Sequence, residues 1–353
     1  MNVPPFTKSA TLENSNLAAL TSAKAAAPAP FAQIDVIDPN LVVPLTMNYS
    51  LSVQRELPKG IFFEAAYVGN QGRHLLRQPD INQPSFDALR ANLLLPTANR
   101  LTTNALRPYK GFSAIRLRMS DSNSNYNSLQ LYAAKRRGNS TMTVSYTFSK
   151  ALADTSGNGD NPEEFANRSY SYGPATFDRR QIFVMTYTYR LPFFKSLKSK
   201  SLAGNLLKGW EVSGITRFQT GQYYTPQANS TIGGRRADYL GGNIALPDNE
   251  RNQSRWFNTA AFGPAPEDRR GNAGVGSILG PGRNVWDISL RKQFAVTEQV
   301  KLQFRGDLFN TWNHVNLNLN NGGLVVNQAA TNYGTITTAA PGRQVQLGLR
   351  LTF

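Results

Sequence analysis

Every second residue from Val345 to Phe353 is apolar, and the residues between them are Gln346, Gly348, Arg350 and Thr352. Successive side chains of a strand point to opposite faces, so this alternation places the two sets on opposite sides of one strand. The pattern recurs upstream. Val300, Leu302, Phe304, Gly306 and Leu308 alternate with Lys301, Gln303, Arg305 and Asp307. Trp286, Ile288 and Leu290 alternate with Asp287, Ser289 and Arg291, and Val144, Tyr146 and Phe148 with Ser145, Thr147 and Ser149. A weaker version joins Phe183, Met185, Tyr187 and Tyr189 to Val184, Thr186, Thr188 and Arg190. Charges so regularly spaced cannot all face a packed protein core, but they can line a watery interior. The chain reads as all-β, with strands that have one apolar and one polar face.

Composition narrows where such strands can sit. Charged residues are only 17% of the chain and hydrophobic residues 40%, yet the mean hydropathy is −0.39. Asn, Gln, Ser, Thr, Gly and Tyr replace the missing charge, which suits two-faced strands joined by polar loops. No stretch supplies the roughly 18 consecutive apolar residues of a membrane-spanning helix. Within lipid, that leaves a closed β-barrel, because only helices and barrels satisfy every backbone group there. The net charge of +16 raises a nucleic-acid reading. Its basic residues, however, are scattered singly or in short groups such as Lys135-Arg136-Arg137, with no basic helix stripe and no nucleic-acid module. A basic lumen and basic turns facing water account for the charge, with anionic solutes as the favoured cargo. The absence of cysteine removes disulfides and thiolate metal sites.

Nine barrel strands are expected, at 46–57, 61–70, 126–137, 141–152, 177–190, 209–220, 285–294, 299–312 and 343–353. Pro58-Lys59-Gly60, Gly138-Asn139-Ser140 and Ala295-Val296-Thr297-Glu298 are tight turns, with 191–208 somewhat longer. The alternate connections, 71–125, 153–176, 221–284 and 313–342, are long. Short turns at one end and long loops at the other are the signature of outer-membrane barrels, with the long loops outside the cell. Residues 1–45 are then the remainder of an extracellular loop, and 46–353 the barrel portion. Complete single-chain bacterial barrels have an even number of strands, so an odd count that begins with a descending strand implies a further strand before residue 46. The start, Met1-Asn2-Val3-Pro4-Pro5-Phe6, lacks the basic and apolar regions of an export signal. Both features point to a fragment of a larger barrel.

Several segments are similar to one family. Asn48-Tyr49-Ser50-Leu51-Ser52-Val53-Gln54-Arg55-Glu56-Leu57-Pro58 and Ala66-Tyr67-Val68-Gly69-Asn70 form its first hairpin of this region. Gly209-Trp210-Glu211-Val212-Ser213-Gly214-Ile215, Gln219-Thr220-Gly221-Gln222 and Phe257-Asn258-Thr259-Ala260-Ala261-Phe262 follow. Gly280-Pro281-Gly282-Arg283-Asn284-Val285-Trp286-Asp287-Ile288-Ser289-Leu290 and Phe304-Arg305-Gly306-Asp307-Leu308-Phe309-Asn310, with Asn313-His314, complete the set. Together they resemble the Oar-like branch of TonB-dependent outer-membrane receptors, nearly end to end. The resemblance implies a whole protein with a small β-sandwich, a plug and a barrel of about 22 strands. It makes this chain the C-terminal part of that barrel, without the plug. The aromatic end at Phe353 resembles the terminal strand that the barrel assembly machinery recognises.

Candidate sites are few, and no catalytic or cofactor site is expected. His74 and His314 are the only histidines, in separate loops, without the partners of a triad or zinc site. Gly274-Val275-Gly276 and Gly280-Pro281-Gly282 lack the strand-to-helix context of a phosphate loop and read as turn glycines. Asp154, Ser156, Asn158 and Asp160 have the spacing of a calcium loop, but its twelfth position is Phe165 rather than Glu. A solvated acidic loop is the simpler account. Among the aromatic residues near strand ends, Trp210 and Trp286 are expected in the membrane-interface girdles, with Phe353 as the terminal aromatic. The functional expectation is a non-enzymatic receptor wall that contacts outer-membrane lipid and an unspecified extracellular ligand. An adhesin using the same loops, or a soluble β-rich binding protein, are the alternatives.

Overall fold

The computed structural model describes residues 33–110, 112–160, 162–193, 202–229, 235–267, 269–297, 299–317 and 323–353. Nine long strands run through them: β1 (Leu45–Leu57), β2 (Ile61–Arg77), β3 (Ile115–Lys135), β4 (Ser140–Ala153), β5 (Gln181–Arg190), β6 (Glu211–Gln219), β7 (Arg283–Ala295), β8 (Lys301–Phe309) and β9 (Gln344–Thr352). Each pairs with its sequence neighbours in an up-and-down meander, in the order β9-β8-β7-β6-β5-β4-β3-β2-β1. These pairings are antiparallel. Among the described residues β1 and β9 each have one partner strand, so the sheet is open.

The registers carry the alternation across the whole sheet. One row joins Met142, Tyr187, Gly214, Ile288, Leu308 and Val345 on six successive strands. Another joins Val53, Ala65, Leu131, Tyr146, Phe183 and Phe218. One face is therefore a continuous apolar belt, and on β9 its members Val345, Leu347, Leu349 and Leu351 are largely exposed. A one-residue slip anywhere would turn the slipped strand's apolar set to the opposite face, so the belt fixes the register.

The ends of the strands follow local chemistry. The β1–β2 turn places Lys59 and Gly60 at φ 70° and 67°, a left-handed pair suited to a tight hairpin. β8 stops at Phe309, short of the expected residue 312, because Asn310 turns left-handed at φ 49°. β2 and β3 are longer than the alternation indicates, reaching Arg77 and starting at Ile115. Their polar extensions need only the backbone ladder, which continues above any apolar zone through a bulge between Gly72 and Leu76. The expected 71–125 loop thus shrinks to 78–114, which holds helix α1 (Phe86–Leu93), capped by the Ser85 hydroxyl. Residues 1–32 of the expected loop remnant lie outside the described residues. Ile34–Ile37 pairs in parallel with Ile115–Arg118 of β3 rather than remaining loop.

The packed core is not in the sheet. It lies in the connections between β6 and β7 and between β8 and β9, where Tyr224, Phe257, Phe262, Ile278, Leu324 and Ile336 are buried together. Phe257 stands edge-on to Phe262 and Tyr333, at 6.1 and 5.3 Å between ring centroids. The approach to this lobe is tight: a Cβ on Gly221 would lie 1.9 Å from the Gly280 carbonyl oxygen. Segments that read as long loops are therefore a folded lobe seated on one end of the sheet.

Candidate functional site

Behind the apolar belt, the other face of the sheet is polar and charged. Thr143, Thr186, Ile215 and Asp287 form one row, and the Thr143 and Thr186 hydroxyls are 2.5 Å apart. Nearer the turn end, Arg190, Glu211, Arg291 and Arg305 stand side by side on four strands. Glu211 accepts from Arg190 at 3.2 Å and also from Arg291, and Arg305 donates to Asp307 at 2.9 Å. Opposite-sign neighbours relieve what would otherwise be cross-strand repulsion between Arg291 and Arg305. Above them a recess of about 370 Å³ is lined by Thr186, Thr188, Ser213, Asp287, Ser289 and Asp307.

This corrects the expectation of a basic interior. By register the polar face carries Arg190, Arg217, Arg291, Lys301, Arg305 and Arg350, but also Glu56, Glu64, Glu211, Asp287 and Asp307. The chain's charge excess sits elsewhere, because net charge counts loops and turns together with the wall. No preference for anions follows from this face.

At the loop end a second group of charged side chains is buried. Arg77 makes two 2.6 Å bonds to the Asp121 carboxylate and a third to the Phe165 carbonyl. Asn82 is fully buried and donates to the carbonyls of Tyr109, Phe112 and Ser113, while its own oxygen accepts from the Tyr109 N–H. Asp80 accepts from the Asn82 and Ile115 backbone and from Arg107. Arg270 donates to Glu164 at 2.7 Å, and the Arg236 guanidinium lies 3.7 Å above the Tyr170 ring. Burial, with Glu163 nearby, pushes the Tyr170 phenol up to about 12. The Arg269 fork holds the Asp238 carboxyl below its ordinary value, aided by the Asn272 backbone. Burial lowers Arg179. These contacts tie the 78–114, 154–180 and 220–282 connections together. Sequence reading missed them, since partners such as Glu164 and Arg270 are 106 positions apart.

The residues with calcium-loop spacing do not converge. One Asp154 oxygen takes the Ser122 hydroxyl and the Asn123 N–H, and the other faces Arg168 at 3.7 Å. Asp160 instead accepts from the Ser156 and Gly157 N–H groups, and the Ser156 hydroxyl accepts from Thr176. Asn158 stands exposed in the same turn. Among the described residues no three His, Asp or Glu side chains gather as metal ligands. His74 sits at the bulged end of β2 and His314 beyond β8, without a shared site.

The aromatic candidates stand at opposite ends of the belt. Trp210 opens β6 at the turn end, edge-on to Phe294 and Phe304. Lys292, on the apolar face, lies 5.6 Å from the Trp210 ring centroid and reaches the Lys208 carbonyl. Trp286 is at the loop end, edge-on to Phe218 and Trp312. From Phe294 to Trp286 is about 26 Å along β7, or about 20 Å of height on a strand tilted as barrels require. Phe353 follows β9 and is exposed.

A family model described as outer membrane beta barrel domain matches residues 1–346. Among solved structures, the outer membrane transporter YddB from Escherichia coli is 12% identical with a TM-score of 0.48, the alignment covering 89% of this chain and 33% of that one. The FrpB iron transporter from Neisseria meningitidis is 11% identical, with a TM-score of 0.43 and coverage of 90% and 33%. The siderophore receptor PiuA from Acinetobacter baumannii is 10% identical, with a TM-score of 0.42 and coverage of 87% and 28%. The chain thus spans about a third of the length of these structures. Comparison with curated proteins gives no match.

Proposed function

The chain belongs to the outer membrane beta barrel domain family, and from that premise we propose that it forms part of the wall and the ligand-facing loops of an Oar-like, TonB-dependent receptor. The observation that carries this reading is the pairing of two features in one sheet. A continuous apolar belt faces outward on nine strands, and a mixed-charge face with Ser and Thr recesses lies behind it. Lipid requires the first and a water-filled lumen the second. The family-like segments from Asn48 to His314 supply the Oar-like assignment.

In this reading the tight turns face the periplasm and the packed lobe faces the medium. Trp210 with Lys292 marks the inner interface, and Trp286 with Trp312 the outer one, where amphipathic rings and snorkelling amines are at home. Phe353 ends the strand offered to the barrel assembly machinery. The open edges of β1 and β9 are completed by the remainder of a larger barrel, since unpaired backbone is not tolerated in lipid. Energised transport belongs to that whole receptor and its plug. The chain itself contributes positioning rather than chemistry, and it is not an enzyme.

The test compares cells with and without the gene for the full protein, each with TonB intact or deleted, for depletion of solutes from a defined medium. TonB-dependent depletion of a solute is the expected result. Depletion that is indifferent to TonB would overturn the transport reading. Loss of surface attachment with unchanged depletion would give the adhesin alternative its support.

A further inference from the structure

The lobe reaches past the end of the sheet onto its apolar face. Part of it overhangs the outside of the wall and, with the sheet, encloses a groove of about 530 Å³, within the size range of small-molecule sites. The groove's floor is Tyr146, Phe183 and Phe218, which are belt residues on adjacent strands. Phe183 and Phe218 are 5.8 Å apart between ring centroids. Its outer wall comes from the lobe: Trp256, Val315 and Leu317. Gln181, Gln219, Thr220, Asn284, His314 and the charged Arg283 supply polar groups to its lining. Trp256 is held by a 2.8 Å bond from its indole N–H to the Leu279 carbonyl and has the Arg251 guanidinium 5.3 Å from its ring.

We infer that this groove seats one acyl chain of an outer-leaflet membrane lipid, gripped between the barrel wall and the overhanging lobe. The inference rests on the membrane orientation proposed above. Its floor is continuous with the lipid-facing belt, so the chemistry that covers the belt also reaches the groove. An ordinary lipid touches a barrel on one side, whereas a chain here touches aromatic and aliphatic surface on two. Apolar area removed from water on both sides holds it longer than its neighbours. Val315, 67% exposed at the edge of the groove, presents an apolar side chain that such a chain would cover.

The experiment uses the full protein, extracted from outer membranes and returned to bilayers of phosphatidylcholine with brominated acyl chains, which quench tryptophan on contact. Emission from Trp256 is obtained by subtracting the Trp256→Phe variant, and emission from Trp286 by subtracting Trp286→Phe. Trp256 emission is expected to be lost in the brominated bilayer, and Val315→Arg is expected to restore it while leaving Trp286 quenched. Quenching of Trp286 with full emission from Trp256 would overturn the groove but leave the membrane reading standing. Full emission from both would overturn both. Quenching of Trp256 that survives Val315→Arg would place the lipid contact outside the groove and likewise sink the proposal.

Discussion

Replacing Phe257 by Ala should open the lobe without dissolving the wall. Phe257 is 2% exposed and stands edge-on to two other rings. Removing a buried Phe side chain costs about 3–5 kcal/mol from lost transfer energy and the cavity left behind. Two lost edge-on ring pairs, each worth about 0.5–1.5 kcal/mol, place this site in the upper part of that range. At about 1.4 kcal/mol per tenfold, a cost near 4 kcal/mol raises the open population of the lobe on the order of a thousandfold. Hydrogen exchange by mass spectrometry of the full protein in bilayers reads this directly, because local opening governs exchange. Peptides spanning 255–262 and 324–336 should exchange faster by about that factor, while those spanning 143–149 and 212–218 should not change. Phe257→Leu should produce a smaller effect in the same peptides. Unchanged exchange in the lobe would mean that its core is not the stabilising unit described here. Faster exchange in the strands as well would mean that lobe and wall unfold as one.

Leu349→Arg, on the belt, should cost about 2–4 kcal/mol if β9 lies near the middle of the bilayer, whereas Arg350→Leu on the polar face should change little. Urea titration of the refolded full protein distinguishes them, and equal effects would refute the assignment of faces. Asn82→Ala removes the fully buried amide that the Tyr109, Phe112 and Ser113 carbonyls and the Tyr109 N–H share, at about 1–3 kcal/mol for a lost buried hydrogen-bond partner; faster amide exchange over 109–115 is expected, and normal protection would sink the claim. The Tyr170 phenol is raised from 10.0 to about 12, so its contribution to stability is complete below pH 10 and is lost as pH rises through about 12. The phenolate absorbance difference between wild type and Tyr170→Phe should therefore appear only near that upper value. Calcium chelation should leave proteolysis of the 154–160 turn unchanged, because Asp154 and Asp160 are occupied by different partners; marked sensitisation would revive the metal reading.

The alternation, as from Val345 to Phe353 and from Val300 to Leu308, was enough to determine two-faced strands, and the spacing of tight turns such as Pro58-Lys59-Gly60 and Gly138-Asn139-Ser140 their number and up-and-down order. That is so because a strand's side chains alternate with a period of two, and lipid on one side leaves no freedom of face. The same signal could not place the ends of β2 and β3. Beyond the belt a ladder needs only backbone partners, and Ser122, Ser124 and Asn125 pair as well as apolar residues do. Nor could it show that the interior is of mixed sign, since net charge carries no information about which face a residue occupies. The lobe was least legible of all. Phe257 and Tyr333, or Glu164 and Arg270, meet only after the strands have brought distant connections to the same end of the sheet. Periodicity sees neighbours within a strand, while the lobe, its buried charges and the groove beneath it depend on contacts that only the folded chain creates.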